Sequence, residues 1–221
     1  MSRPRFEVIE AEQRSVEWFE ARLGRLTGSK AAAILAKGKG ATESVQRRDY
    51  RLQLCCERMT GKPSDSPYTN ADMQRGIDLE PFARAAYEAE TAVFVRTTGF
   101  LCMVDHMAGC SLDGDIDNFK GIVEFKCPKT STHLAYLRDP LTLASEYQGQ
   151  VAHNLWVSDA EWCDLVSFDD RLPEELQLLV CRIKRSEVDV GRYEVEAMKF
   201  LTEVVDELEQ IRLLREKRRA A

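Results

Sequence analysis

Apolar residues recur at helical spacing along the first ninety residues of the chain. Between Ser15 and Leu26 they stand three and four positions apart, which predicts an amphipathic helix. The alanine-rich segment TGSKAAAILAKGKG (27–40) offers Thr27 or Ser29 as a helix N-cap and has glycines at its end, so it predicts a second, short helix. Two more helices are predicted at 43–60 and 71–89, and the proline-containing loop GKPSDSP (61–67) separates them.

After residue 90 the pattern changes to short runs rich in valine, phenylalanine and leucine. Such runs, bounded by Gly, Asp or Pro, are typical of strands. Residues 134–157 are mostly helical in pattern despite Pro140, and 187–219 predicts one or two closing amphipathic helices. The predicted strands are TAVFVR (91–96), GFLCMV (99–104), GIVEF (121–125), EWCDLVSF (161–168) and LQLLVCRI (176–183).

This order of elements predicts an α/β (α+β) fold in which helices flank a central mixed β-sheet. Roughly, residues 15–90 supply the N-terminal helices, 91–185 the sheet with its crossover helix, and 187–219 the C-terminal helices. The chain has 221 residues, of which 44% are hydrophobic, and this suffices for one sizeable core. We therefore expect residues 1–221 to form a single domain.

Composition argues against a membrane protein and against a cysteine-based metal site. No apolar run is long enough to cross a bilayer, and the N-terminus lacks the order of a signal peptide, so we expect a cytoplasmic protein without a membrane span. The seven cysteines lack the C-x-x-C spacing of zinc and redox sites. We expect reduced and mostly buried thiols, and an iron–sulfur cluster is the alternative, although the spacing does not call for one.

The overall charge is unfavourable for a protein that binds nucleic acid. The formal net charge is -6, so the whole molecule would repel a polyanion, and DNA binding would depend on a local basic surface. A solvated helix face explains a basic cluster equally well. The two candidate clusters are Arg22, Arg25, Lys30, Lys37 and Lys39, and Arg47, Arg48 and Arg51.

The stretch SLDGDIDNFKGIVEFKCP (111–128) carries acidic residues that fit two metal chemistries. Asp113, Asp115, Asp117 and Glu124 stand at the first, third, fifth and twelfth positions of an EF-hand calcium loop. However, the sixth position is asparagine instead of glycine, the eighth is lysine instead of an apolar residue, and the flanks predict strands instead of helices. Calcium binding is therefore the less favoured interpretation.

The same stretch also predicts a metal-dependent nuclease centre. Side chains alternate along a strand, so Glu124 and Lys126 share one face. The turn residues of DGDIDN can fold the chain back and place Asp113 beside Glu124, with Asp115 and Asp117 as replaceable turn residues. Two carboxylates and a backbone carbonyl suit Mg²⁺ or Mn²⁺, and Lys126 could orient or deprotonate a metal-bound water. A solvated strand face with a Glu–Lys pair is the alternative.

Five blocks of sequence, in order along the chain, carry a resemblance to a known family. The chain resembles the lambda-type, or YqaJ-like, phage alkaline exonucleases, a branch of the PD-(D/E)xK nuclease superfamily. The resemblance implies a restriction-endonuclease-like core inside the predicted α/β domain. The blocks are Trp18 with RLGRLTGSK (22–30), RGIDLEPFAR (75–84), CSLDG (110–114), VEFKCP (123–128) and YQGQVAHNLWV (147–157).

The resemblance implies roles in the metal centre for five residues. Asp113 and Glu124 are the expected metal-binding carboxylates, and the backbone carbonyl of Phe125 is a further ligand. Lys126 is the expected catalytic lysine. Glu80 resembles the family's helix-borne glutamate near a second metal, although on its own it would be interpreted as an exposed acidic residue at the start of a helix.

The resemblance also implies a pocket for the 5′-phosphate of a DNA end. Arg22, Ser29 and Ser111 match the family residues that hold this phosphate. The chemistry is suitable, because arginine binds phosphate bidentately and Ser29 is near a predicted helix start, where free N–H groups favour anions. Where relatives place a further arginine, this chain has KTST (129–132), so this further element of the pocket is open, and Lys129 or a neighbouring arginine is the candidate substitute.

The function implied by the resemblance is a Mg²⁺-dependent 5′-to-3′ exonuclease with a two-metal site, for which Mn²⁺ could substitute. It would digest one strand of linear double-stranded DNA from a 5′-phosphorylated end, releasing mononucleotides and leaving a 3′ single strand. Tyr147 and Gln150, one helical turn apart, would support the metal-bound water or the scissile phosphate.

The implied partners are DNA ends, two further copies of the chain in a ring-shaped homotrimer, and a single-strand annealing recombinase. The setting would be phage recombination in the cytoplasm of a bacterial host, with the gene carried by a phage or prophage. Two alternatives are kept. One is another endonuclease of the PD-(D/E)xK superfamily, and the other is a non-catalytic calcium-binding or DNA-binding module.

Overall fold

Two four-stranded mixed sheets lie at the centre of the molecule and helices cover them. The structure, a computed structural model, describes residues 4–40, 42–64 and 70–220, so part of the predicted loop at 61–67 lies outside the described residues. The strands are β1 (Phe6–Ile9), β2 (Leu26–Thr27), β3 (Phe100–Met103), β4 (Ala108–Ser111), β5 (Gly114–Ile116), β6 (Gly121–Lys126), β7 (Trp162–Phe168) and β8 (Leu178–Lys184). The α-helices are α1 (Val16–Arg22), α2 (Ala31–Leu35), α3 (Val45–Thr60), α4 (Ala71–Thr91), α5 (Thr130–Arg138), α6 (Pro140–Glu146), α7 (Gln148–Ser158) and α8 (Val190–Ala220).

The sheet that carries the predicted nuclease centre has the order β5-β6-β7-β8. β6 and β7 are parallel, with Glu124 opposite Leu165 and Lys126 opposite Ser167, and the other pairs are antiparallel. A parallel pair requires a crossover connection, which the helices between β6 and β7 provide. The mixed α/β fold and the strands at 121–125, 161–168 and 176–183 were therefore predicted correctly.

The second sheet, β1-β3-β4-β2, was only partly predicted. β4 and β5 were missed because they are short and contain glycine, which weakens the strand signal. The chain passes between the sheets at Leu112–Asp113, directly after β4 and before β5. The strand predicted at 91–96 is wrong, because Thr91 ends α4 and only Arg96 in this run forms an isolated bridge, with Asp115.

The first predicted helix extends too far, because α1 ends at Arg22. Gly24 adopts a left-handed conformation with φ 66°, which glycine tolerates without strain, and the chain turns there into β2. Two residues of α3 hold this turn in place. The Glu57 carboxylate accepts a 2.9 Å hydrogen bond from Gly24 N, and Arg58 Nε donates a 2.8 Å bond to Gly24 O.

The crossover between β6 and β7 consists of three helices instead of one. Asp139 adopts an extended conformation and interrupts the pattern, and its side chain accepts a 3.1 Å hydrogen bond from Leu141 N. α6 therefore begins with Pro140 in the first helical position, where its missing N–H costs nothing. α7 is buried along most of its length, which explains the absence of a clear polar face in its sequence.

A main core and a smaller core position the site. The main core lies between the sheets and α3, α7 and α8, where Trp156, Tyr193 and Phe200 are buried. The smaller core packs α4 against one face of the β5-β6-β7-β8 sheet, with the Tyr87 and Phe125 rings in edge contact at 6.0 Å. In the described part of the chain, no helix combines the length and apolar character that crossing a bilayer requires.

Candidate active site

All ten site residues predicted from the sequence line one cavity of about 750 Å³. The cavity lies beside the link between β4 and β5, at the carboxyl end of β6, and its walls come from α1, α4 and α7. The structure thus brings together segments that are far apart in sequence. The ten residues are Arg22, Ser29, Glu80, Ser111, Asp113, Glu124, Phe125, Lys126, Tyr147 and Gln150.

Asp113 and Glu124 are neighbours because β5 and β6 pair in antiparallel register, with Gly114 opposite Val123. The Asp113 carboxylate accepts a 2.7 Å hydrogen bond from Phe125 N, which ties the residue before β5 to the next strand. Glu80 reaches the same cavity from α4. It lies inside this helix and not at a helix start, which corrects the interpretation that its sequence position alone favoured.

The three carboxyl groups disfavour one another's charge. Burial raises the pKa of Glu124 to about 8, and the charge of Asp113 adds to this shift. Burial, followed by Asp113, raises the pKa of Glu80 to about 7, and burial also raises the pKa of Asp113. Such mutual repulsion favours the binding of a cation among them.

Glu124 is held by three donors. Its Oε2 accepts from Lys126 Nζ at 3.1 Å and from Gln150 Nε2 at 2.6 Å, and its Oε1 accepts from Asn154 Nδ2 at 2.6 Å. Lys126 Nζ also donates to Gln150 Oε1 at 3.0 Å and lies 4.7 Å from the centre of the Tyr147 ring. Lysine and glutamine therefore form one network with the carboxylate.

Lys126 is positively charged in this network. Burial opposes the charge, but the carboxylates of Glu124 and Asp113 outweigh burial and raise the pKa of Lys126. The lysine is thus a proton-bearing donor in this arrangement, and a role as a base would require the neighbouring negative charge to be neutralised first.

The donor chemistry of the cavity fits a hard divalent cation. Asp113, Glu124 and the Phe125 carbonyl would supply an all-oxygen set, with Glu80 as a further carboxylate. No three His, Cys, Asp or Glu side chains of the described residues are already arranged as a cage for an ion. A cation would therefore have to share Glu124 with the donors that hold it in place.

A second cluster in the same cavity gathers around Ser111 Oγ. Arg22 Nη1 lies 3.0 Å from this oxygen, and Trp18 Nε1 donates to it at 2.8 Å. Arg22 Nη2 lies 3.5 Å from Ser29 Oγ, and its guanidinium carbon lies 4.1 Å from the centre of the Trp18 ring. The stacked guanidinium and the hydroxyls suit a phosphate.

Ser29 belongs to a turn of 3-10 helix at Gly28–Lys30, and α2 begins after it at Ala31. Neither segment has a side-chain cap. The idea of Ser29 as a helix N-cap is therefore wrong, and its hydroxyl faces the cavity beside Arg22. Of the KTST segment (129–132), Lys129 lines the cavity and Thr132 does not.

The calcium-loop interpretation of 113–124 is wrong, because strands flank the segment where an EF-hand needs helices. Asp117 lies in the turn between β5 and β6 with φ 52°, as expected of a turn residue. Asp115 is not a turn residue. It is 1% exposed within β5, and its carboxylate pairs with Arg96 at 2.8 Å.

Asn154 is a site residue that sequence reasoning missed. It is fully buried on α7, where it donates to Glu124, and its amide oxygen has no hydrogen-bond partner among the described residues. A Cβ on Gly28 would come within 2.5 Å of that oxygen, so Asn154 also packs against the turn that carries Ser29. Its spacing of four residues from Gln150 was a signal for this role, because such residues share a helix face.

Replacing Asn154 with leucine, which is similar in size but cannot donate, should lower the rate of the nuclease reaction that the sequence predicts by about 10- to 100-fold. The physical reason is the loss of one of the bonds that orient Glu124. Steady-state kinetics on a linear duplex would show the loss in kcat with little change in KM. Ser158→Ala is the matched control, because it removes a buried 2.7 Å bond to Asn154 O without touching Glu124. An equal loss in both variants would mean that Asn154 acts only through folding.

Comparisons with known proteins agree on one family. The description "YqaJ-like viral recombinase domain" belongs to the family model that matches residues 17–161. Two crystal structures of the alkaline exonuclease LHK-Exo from Laribacter hongkongensis, one of them in complex with dAMP, are similar at 36% identity and a TM-score of 0.81. The match covers 94% of this chain and 100% of that chain.

A phage-related exonuclease from Haemophilus somnus shares the fold at 13% identity and a TM-score of 0.64. That match covers 83% of this chain and 96% of the other. No match of comparable significance was found among curated proteins.

Proposed function

Because the chain belongs to the YqaJ-like viral recombinase family, we propose that it is a Mg²⁺-dependent exonuclease that digests one strand of double-stranded DNA in the 5′-to-3′ direction. The enzyme acts on linear duplexes, prefers a 5′-phosphorylated end, releases mononucleotides and leaves a 3′ single strand. The similar alkaline exonuclease LHK-Exo supports nuclease activity.

One observation carries the finer proposal. Asp113, Glu124 and Lys126 line the same cavity as the Arg22 cluster, which consists of Arg22, Ser29 and Ser111. Among the described residues, no hydrogen bond or ion pair joins the Arg22 cluster to Glu124 or Lys126. A strand whose terminal 5′-phosphate is bound at Arg22 can therefore present an internal phosphodiester to Glu124 and Lys126. This arrangement suits removal of terminal nucleotides.

In the mechanism, Asp113, Glu124 and the Phe125 carbonyl would hold Mg²⁺, or Mn²⁺ in its place, and Glu80 would contribute to a second metal position. A cation held there would supply the means to activate a water and to neutralise phosphate charge. Lys126, fixed by Glu124 and Gln150, donates to a phosphate oxygen where negative charge develops.

Gln150 contacts both Glu124 and Lys126, so it fixes their relative orientation. The Tyr147 ring covers the Lys126 ammonium group and limits its motion. These two residues support the reacting groups, as their positions one helical turn apart imply.

The proposal includes an assembly and partners. A ring-shaped homotrimer would place basic residues around threaded DNA and leave an acidic exterior, which accommodates the net charge of -6. A single-strand annealing recombinase would receive the 3′ strand during phage recombination in the cytoplasm of the bacterial host.

The experiment that tests the proposal compares linear duplexes with and without a 5′-phosphate and a covalently closed circle. With Mg²⁺, the enzyme should release mononucleotides fastest from phosphorylated ends and leave the circle intact. Cutting of the circle would favour the alternative, a PD-(D/E)xK endonuclease. Failure to digest any of these DNAs with Mg²⁺ or Mn²⁺ would overturn the proposal.

Arg22→Gln should lower the rate on 5′-phosphorylated ends by about 10-fold or more and leave the rate on 5′-hydroxyl ends nearly unchanged. The substitution removes the guanidinium that lies beside Ser111 and Ser29. Initial rates on the two ends measure the preference. Arg25→Gln makes the same charge change three residues away, outside this cavity, and should keep the preference. A preference that survives Arg22→Gln would remove Arg22 from the phosphate site.

A further inference from the structure

Two further arginines line the cavity, and the mechanism above does not use them: Arg75, which begins the RGIDLEPFAR block, and Arg171. Both pair with Asp169, which is fully buried just after β7. Asp169 accepts from Arg171 at 2.8 Å through Nε and at 3.0 Å through Nη2. It also accepts a 3.0 Å bond from Arg75 Nη2 of α4. One buried carboxylate therefore fixes two arginines from distant parts of the chain.

The two arginines retain donors that the protein does not use. Within the described ranges, no hydrogen bond involves Nη1 of Arg171, or Nε and Nη1 of Arg75. The side chains are 45% and 29% exposed, and both line the cavity. A fixed guanidinium with free N–H groups is suited to bind a phosphate oxygen, because little side-chain freedom remains to be lost.

The strand order places this group away from the Arg22 cluster. Ser111 precedes β5, which pairs with one edge of β6, whereas Arg171 follows β7, which pairs with the other edge. Glu124 and Lys126 lie on β6 between them. The cavity thus has a phosphate-type cluster on one side of the reacting groups and the Arg75–Arg171 pair on the other.

We propose that Arg75 and Arg171 form a second phosphate site, which binds an internal phosphodiester of the digested strand on the far side of the scissile bond from the 5′ end. This inference rests on the proposed function. The strand is then held at two points, and the phosphate between them faces Lys126. The pair is balanced by Asp169 and Asp170, so attraction depends on directed N–H donors and not on a long-range field.

The chain contains a matched control for this site. Arg182 grips the fully buried Asp164 as Arg171 grips Asp169, through Nε and Nη2 at 2.7 Å each. Its side chain is 50% exposed, but Arg182 does not line the cavity. Arg182→Gln therefore reproduces the structural cost of removing an arginine from a buried aspartate without removing a phosphate donor.

Arg171→Gln should raise the KM for a linear duplex, and the Kd measured by fluorescence anisotropy with Ca²⁺ in place of Mg²⁺, by about tenfold. The slope of log Kd against log salt should fall by about 0.9, the value for one phosphate contact. Arg182→Gln should change neither quantity while lowering thermal stability by a similar amount. Equal effects of the two variants on DNA binding would show that Arg171 is only a structural tether, and would overturn the proposal.

A scan with methylphosphonate linkages identifies the bound phosphate. Neutralising one internal phosphate near the 5′ end should weaken binding by the wild type and have little further effect on Arg171→Gln. If Arg171→Gln remains as sensitive as the wild type at every position, the site does not bind the strand. If the variant instead binds duplex normally but loses affinity for a deoxynucleoside monophosphate, the ligand is the released product, and the assignment to a phosphodiester is wrong.

Failure of this inference differs from failure of the proposed function. A wild type that digests no DNA contradicts the proposed function, yet its DNA binding with Ca²⁺ still reports on Arg171. Arg171→Lys is the second variant, because it keeps the charge and loses the two-pronged grip on Asp169. It should keep the wild-type salt slope and bind less tightly than the wild type.

Discussion

Lys126→Ala should lower hydrolysis by about 10³-fold while duplex binding changes only a few-fold. Lys126 Nζ is the one ammonium group in contact with both Glu124 and Gln150 among the described residues, and it faces the cavity. Its loss removes the donor that would meet charge developing on the phosphate. It leaves the other predicted phosphate-binding residues, including Arg22 and Ser111, in place.

Single-turnover digestion of a 5′-labelled duplex measures the chemical step, and anisotropy measures binding. Lys120→Ala is the control, because Lys120 is an exposed lysine just before β6, at the opposite end of the same strand. It should keep the wild-type rate. Substantial hydrolysis by Lys126→Ala would remove the lysine from the chemistry, whereas loss of binding along with the rate would assign it to substrate affinity.

The centre of the site could be predicted because its information is local. Glu124 and Lys126 alternate with apolar residues along one strand, so their shared face follows from strand geometry. Asp113 was placed beside Glu124 by the turn residues between them, and the antiparallel pairing of β5 with β6 produces this contact. Local periodicity and a short turn were enough.

Other parts of the cavity depend on contacts that no local pattern records. Arg171 lies in a turn after β7, outside any periodic segment, and it is held in place by the buried Asp169, which also binds Arg75 almost one hundred residues earlier in the chain. β4 and β5 were missed because short glycine-containing strands are defined by their neighbours. The run at 91–96 was misassigned because its β-branched and aromatic residues follow a helix end instead of pairing in a sheet.

The second large effect is expected for Asp113→Asn, which should lower the hydrolysis rate by about 10³-fold or more and yet stabilise the metal-free protein. Asparagine can still accept the hydrogen bond from Phe125 N, so the local geometry is kept. The substitution removes a negative charge that raises the pKa of Glu124 and Glu80. At pH 8 and without metal, the free energy of unfolding of the Asp113→Asn variant should exceed that of the wild type by about 1–3 kcal/mol.

The pH dependence has a defined sign. In the absence of metal the folded protein binds protons at Glu124 and Glu80 more tightly than the unfolded chain does, because their pKa values are raised to about 8 and about 7. Their contribution to the free energy of unfolding is therefore complete below the ordinary pKa of a glutamate side chain, and it is lost as the pH rises from there to about 8. Mg²⁺ should cancel the loss in the wild type, since a bound cation replaces the protons.

Thermal or urea unfolding between pH 5 and 8.5, with and without Mg²⁺, measures both effects. Asp113→Asn should show a flatter pH profile and no stabilisation by Mg²⁺. Asp117→Asn makes the same charge change in the exposed turn between β5 and β6, where asparagine tolerates the φ of 52°, and should behave as the wild type. A variant that is less stable than the wild type at pH 8, or that Mg²⁺ still stabilises, would show that Asp113 does not share its charge with a cation at this centre.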